Sequence, residues 1–140
     1  MIYLLDTGPL VALLNRNDPW SSWCIGVLEE LTPPFYTCEA VLTEASHFLG
    51  SMGEVCKLLD EGELVIAFEA KNERRRLCQL MGKYEQMSFT DACVVRMAEI
   101  HRNSVVWTLD REDFSIYRMR RSEPIPFIAP DAPLAESGVH

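Results

Sequence analysis

Met1-Ile2-Tyr3-Leu4-Leu5-Asp6-Thr7-Gly8-Pro9 is an apolar run rich in strand formers that stops on a carboxylate followed by turn residues. Its brevity and its Gly-Pro boundary predict a buried strand ending at Gly8, with Pro9 opening a helix. Asp6 then lies at the carboxyl end of that strand, the edge where ligands bind in open parallel α/β sheets. On this segment alone, an Asx-turn or a helix cap accounts for Asp6 as well as a functional role does. A second copy of the pattern shifts the balance. Ser104-Val105-Val106-Trp107-Thr108-Leu109-Asp110 is again an apolar run ending on an acid, so two strands are expected to deliver carboxylates to one sheet edge.

The rest of the chain supplies what such a sheet needs. Proline, glycine and capping residues punctuate helices expected over residues 9–14, 18–31, 39–49, 51–60, 69–81 and 90–101, and a helical turn from Glu112. Between them lie candidate strands at 35–37, 64–68 and 125–128. Strands separated by helices of this size imply right-handed crossovers and an α/β three-layer sandwich with a central, mainly parallel sheet. One domain over residues 1–129 is expected, followed by a loose C-terminal tail of 130–140.

Length and composition agree: 140 residues, 48% of them apolar, suffice for one globular core. A net charge of −8 argues against broad electrostatic adhesion to nucleic acid or to anionic membranes, without excluding local binding. The five cysteines are odd in number, widely spaced and lack a Cys-x-x-Cys pair, which disfavours a disulfide framework or a zinc site and points to free buried thiols. With no basic leader and no apolar stretch approaching the ~20 residues of a membrane span, a cytoplasmic protein is expected.

Two further acids stand out by helical position. Glu44 falls beside an apolar stripe of Val41, Ala45, Phe48 and Leu49, so it is aimed partly inward. A carboxylate there is costly to desolvate unless paired or metal-bound. Asp91 precedes Val94 and Val95 by three and four residues and faces the core side of a first turn, although Ser88-Phe89-Thr90-Asp91 is also a capping-box pattern. Asp6, Glu44, Asp91 and Asp110 therefore converge, and only Arg111 adjoins any of them in sequence. One guanidinium cannot neutralise four acids. Ligation by oxygen alone suits Mg²⁺ or Mn²⁺, ions that commonly serve phosphoryl chemistry.

Asp6-Thr7 after a strand, the inward Glu44, Phe89-Thr90-Asp91-Ala92 opening a helix, and Thr108-Leu109-Asp110-Arg111-Glu112-Asp113-Phe114 near the end resemble, in order and context, the PIN-domain family. The resemblance runs from Met1 to about Ile128 and implies a Mg²⁺- or Mn²⁺-dependent ribonuclease. Single-domain members are often VapC-type toxins of toxin–antitoxin pairs, commonly dimeric, so RNA, a cognate antitoxin and a second copy are the implied partners. Carried over, Asp6, Glu44, Asp91 and Asp110 are the metal-binding and catalytic acids. Thr7 and Thr108 are auxiliary polar neighbours, and Asp113 is an auxiliary acid or a helix cap. Arg111, Arg118, Arg120 and Arg121 lie just downstream of Asp110, where a phosphate backbone could pass, and are candidate RNA contacts. Arg74, Arg75 and Arg76 read as a solvated helix face. Trp20 and Trp23 read as core or interface, and the apolar surface of their helix as a homodimer or antitoxin contact.

Two other readings compete. A PIN-like fold could grip RNA or a protein without turnover. Asp6-Thr7-Gly8 also resembles the signature of retroviral-type aspartic proteases, an all-β fold at odds with the helical periodicities.

Overall fold

In a computed structural model, which describes residues 1–131, the alternating segments close into one sheet of order β3-β2-β1-β4-β5. The strands are β1 (Ile2–Leu5), β2 (Phe35–Thr37), β3 (Leu64–Ile66), β4 (Ser104–Trp107) and β5 (Phe127–Ile128), and every pairing is parallel. The helices are α1 (Thr7–Leu14), α2 (Ser21–Leu28), α3 (Glu39–Phe48), α4 (Gly53–Asp60), α5 (Arg74–Lys83), α6 (Phe89–Ile100) and α7 (Arg111–Ile116). This is the expected α/β architecture, with a wholly parallel sheet, and it removes the all-β protease reading. From residue 132 on, the expected tail lies outside the described residues.

Successive strand residues point to opposite faces, so adjacent buried positions report cover on both. Leu4 and Leu5 in β1, and Val106 and Trp107 in β4, are all buried, as a parallel sheet with helices on each side requires. β1 is the pivot of the chain path. β2 and β3 add on one side of it, and after α6 the chain returns to lay β4 and then β5 on the other. Strand order reverses between β1 and β4, which places a crevice at their carboxyl ends, just where Asp6 and Thr108 to Asp110 emerge.

Several boundaries differ from expectation for local reasons. β1 ends at Leu5 because Asp6 acts as the cap of α1: its backbone carbonyl accepts from Leu10 N and its side chain from Thr7 N. Thr7 and Gly8 are thereby helical, and Pro9 sits in the first turn, where a missing N–H costs nothing. α2 starts late because the Asp18 carboxylate takes Trp20 N in a turn. Ser51 accepts from Gly53 N and makes no capping box with Glu54. Phe48 is 67% exposed, so the buried stripe of α3 narrows to Val41 and Ala45. Cys24, Cys38 and Cys93 are buried free thiols, but Cys56 and Cys78 are exposed. Among the described residues no helix is long and apolar enough to cross a membrane.

One close approach links the core to the crevice. A Cβ placed on Gly8 would meet Leu109 Cγ at 2.9 Å and its Cβ at 3.1 Å, so α1 packs directly on the loop between Thr108 and Asp110. Gly26 in α2 has nothing within 4 Å of such a Cβ. Gly8→Ala should therefore lower stability by about 1–2 kcal/mol through overpacking. Gly26→Ala should raise it by up to about 1 kcal/mol, the ordinary gain at an open helical glycine. Urea unfolding of both variants checks the pair. A stabilised Gly8→Ala would show that α1 does not bear on this loop.

Candidate active site

Asp6 leaves β1 at the strand-order reversal and is only 8% exposed. Its Oδ1 accepts from Thr7 N at 2.9 Å and its Oδ2 from the Thr108 hydroxyl at 2.7 Å. The Thr108 oxygen accepts in turn from Asp110 N at 3.0 Å. A hydroxyl has one proton, and this relay commits it to Asp6. Both partners of the carboxylate are neutral. Burial accordingly pushes the Asp6 carboxyl up to about 6 despite the two hydrogen bonds, and the charges of Asp91 and Glu44 push the same way.

Glu44 lies mid-α3, one residue before the buried Ala45, and is itself half-buried. Its Oε1 accepts from the Thr7 hydroxyl at 2.8 Å and its Oε2 from the Thr90 hydroxyl at 2.7 Å. One side chain thus ties α3 to the first turns of α1 and α6. Thr90 is an addition to the residues read from sequence. Its only local signal is its place beside Asp91 at the helix start.

Asp91 follows in the first turn of α6, and its backbone N–H is capped by Ser88 Oγ at 3.0 Å. Its side chain does not turn back to complete the capping box. Asp91 Oδ2 accepts from the Tyr117 hydroxyl at 2.6 Å, a contact with no trace in local sequence. Burial raises the Asp91 carboxyl; the Tyr117 hydrogen bond opposes this, while Asp110 and Glu44 add to it.

Asp110 caps α7, its Oδ1 accepting from Asp113 N at 3.0 Å, and is the exposed member of the group. The turn of α7 brings Asp113 back beside it. Asp91, Asp110 and Asp113 each offer a carboxylate oxygen, and the three oxygens lie within 4.8 Å of one another. Burial and the neighbouring Asp110 carboxyl push Asp113 up to about 6. Of the four acids read from sequence, Asp91 and Asp110 are brought together, with Asp113 as their third member. Asp6 and Glu44 stand behind this triad, close enough for their charges to be felt.

The candidate cations are differently employed. Arg111 donates to the Pro130 and Ala129 carbonyls at 2.7 and 2.8 Å and lies over the Phe127 ring. Arg118 Nη1 donates to the carbonyls of Ser115, Ile116 and Tyr117, closing the end of α7. Arg120 and Arg121 are exposed. Among the described residues, no lysine or arginine forms an ion pair with Asp6, Glu44, Asp91, Asp110 or Asp113. An all-oxygen, unpaired acid cluster in which the Asp6, Asp91 and Asp113 carboxyls are raised fits a hard divalent cation, which would remove the repulsion.

The family model described as PIN domain matches residues 3–120, a span that contains all five acids and the threonines that hold them. Among curated proteins none matches the chain.

The state of Asp6 can be read from stability. Its ordinary value of 3.8 is raised to about 6 on folding, so the folded state holds the proton more tightly. Stability contributed by Asp6 therefore falls as pH rises from about 4 to about 6, and the whole cost, at most about 3 kcal/mol, is present above that. Asp6→Asn keeps an oxygen toward Thr7 N and offers an N–H to Thr108. In EDTA it should change stability little near pH 4 and raise it by about 1–3 kcal/mol at pH 8, measured by urea unfolding. A pH-independent decrease would make Asp6 a structural cap only.

Proposed function

The chain belongs to the PIN-domain family, whose members are generally nucleases, and on that premise we propose that it is a divalent-metal-dependent endoribonuclease hydrolysing RNA phosphodiester bonds. The observation that carries this reading is the Asp91–Asp110–Asp113 oxygen cluster at the strand-order reversal, backed by Asp6 and Glu44 and free of ion-paired cations among the described residues.

In this reading Asp91 and Asp110, with Asp113, hold Mg²⁺ or Mn²⁺, and Asp6 and Glu44 complete the negative wall behind it. A divalent ion bound there supplies positive charge that polarises a phosphodiester oxygen and acidifies water. The chain's own groups set the geometry. Tyr117 fixes the rotamer of Asp91, Thr108 fixes Asp6 and the backbone of Asp110, and Thr7 and Thr90 aim Glu44. None of these hydroxyls is basic enough to take a proton, so proton acceptance falls to a carboxylate not committed to the ion; of these, Asp6 is raised by burial.

The same reading makes the protein a VapC-type toxin, acting in the cytoplasm on RNA and held by a cognate antitoxin. Ile25 and Leu28, exposed on α2 beside the half-buried Trp20 and Trp23, supply the apolar surface for an antitoxin or for a second copy of the chain.

Single-turnover cleavage of a structured RNA with Mn²⁺ tests the catalytic assignment. Glu44→Gln should keep RNA binding and slow cleavage by roughly a hundredfold or more, because charge stabilisation in the transition state is lost. The exposed control Glu39→Gln should cleave at the wild-type rate. Mg²⁺ or Mn²⁺ should also raise the melting temperature of the wild type, raise that of Asp6→Asn by less, and leave that of Asp91→Asn/Asp110→Asn unchanged. Equal cleavage rates for all three proteins would remove Glu44 from the site, and an unaltered melting curve at saturating metal would remove the ion.

A further inference from the structure

Glu99 lies one residue before the end of α6 with its side chain 3% exposed, and four donors surround its carboxylate. Oε1 accepts from Arg76 Nε at 2.9 Å and Arg96 Nη1 at 3.1 Å, and Oε2 accepts from Arg76 Nη2 at 2.6 Å and the Arg120 backbone N–H at 2.8 Å. Two guanidiniums converge on one buried acid. Arg76 therefore leaves the solvated face expected of the Arg74–Arg76 run and becomes part of the architecture.

Beside this hub opens a cavity of about 370 Å³ whose charged lining is Arg96, Arg102, Arg120 and Arg121 with Glu99 and Glu123. Glu99 is already neutralised, so the cavity is positive in a chain of net charge −8. Among the described residues, the side chains of Arg102, Arg120 and Arg121 enter no ion pair. The rim is strained: Arg121 at φ 62° and Ser122 at φ 60° are consecutive non-glycine residues in the left-handed region. Such residues persist where surrounding structure imposes them, often around ligands.

The cavity is also aligned with the acid cluster. Asp91 and Ala98, which lines the cavity, are seven residues apart and share a face of α6. The stretch of chain laid along that face touches Asp91 through Tyr117 and Glu99 through Arg120. Eight helical residues span ~12 Å, about three or four stacked nucleotides. An acidic protein that must bring a polyanion to an acid cluster needs a local positive anchor at such a distance.

We propose that the arginine cavity at the end of α6 is a phosphate subsite that grips the RNA backbone a few nucleotides from the acid cluster. It rests on the nuclease reading above. It transfers the role of backbone contact from Arg111 and Arg118, whose donors are engaged by the chain, to Arg102 and Arg120, with Arg121 at the rim. Phosphate contacts carry no base information, so the grip is indifferent to sequence.

Fluorescence anisotropy with labelled single-stranded RNAs in EDTA, over about 50 to 200 mM salt, tests the subsite. Arg102→Ala/Arg120→Ala should weaken binding about tenfold or more at low salt for RNAs of unrelated sequence. It should also flatten the log–log salt dependence by about 0.7 for each phosphate no longer held. The charge-matched control Arg16→Ala/Lys57→Ala should change neither. The Arg120 bond to Glu99 uses the backbone and survives the substitution, which an unchanged melting temperature will verify; should the double variant be unstable, Arg121→Gly, outside the hub, must show a smaller weakening of the same kind. Variants of the cavity that match the control, with wild type still binding and cleaving RNA, overturn the subsite and leave the nuclease reading standing. A wild type that neither binds nor cleaves RNA overturns both. Polyglutamate competing as well as RNA would overturn the subsite by assigning the cavity to a carboxylate-bearing partner instead.

Discussion

Asp6 is buried at the point where strand order reverses, and only neutral donors hold it there. A threonine hydroxyl and a backbone N–H orient its oxygens without removing its charge, and the nearest charged groups, Asp91 and Glu44, are of the same sign. Evolution could have placed an arginine against it, as it did twice against Glu99. The contrast divides these two acids by purpose. Glu99 is neutralised internally and serves packing, whereas Asp6 is kept charged, or nearly so, against the tendency of its surroundings. The rest of the carboxyl edge repeats the second solution: hydroxyls of Thr7, Thr90 and Tyr117 aim Glu44 and Asp91 without compensating them.

The fold was legible because its signals are local. Apolar runs ending in turns marked β1 and β4, proline and glycine marked most of the breaks, and the alternation of strand and helix left few topologies to choose from. Asp6 and Asp110 were visible because each ends such a run. What local pattern could not give was partnership. Phe48 has the right spacing for the buried stripe of α3 but, among the described residues, no neighbour that covers it. Thr90 and Tyr117 become site residues only through contacts spanning 46 and 26 residues. Asp113 reads equally as an auxiliary acid or a helix cap, and its side chain joins Asp91 only because α7 folds back toward α6. The shift of the α1 boundary by two residues is local by contrast: the Asp6 carboxylate takes Thr7 N and its carbonyl takes Leu10 N, so the helix starts directly after the strand.

A low isoelectric point looked like an obstacle to nucleic-acid binding, but net charge is an average over a surface that is not uniform. Acids gather at the carboxyl edge of the sheet, and arginines gather at the opposite end of α6. One helix spans both, and the chain segment from Tyr117 to Arg120 is pinned to it at each end. A field with a negative pole that takes a cation and a positive pole that takes phosphate can orient a polyanion without attracting it strongly elsewhere.

The hydrogen bond from Thr108 to Asp6 joins residues 102 positions apart, and the one from Thr90 to Glu44 joins residues 46 apart. No fragment lacking β4 can form the first, and β4 lies in the last third of the chain. During synthesis the carboxyl edge therefore assembles late: Asp6 waits until the chain has grown a further 102 residues, to Thr108, before its oxygens are oriented. A chain that stops short of β4 lacks Thr108, Asp110 and Asp113 along with the arrangement they complete, so whatever the site does is withheld from it, including while it is still attached to the ribosome that is making it.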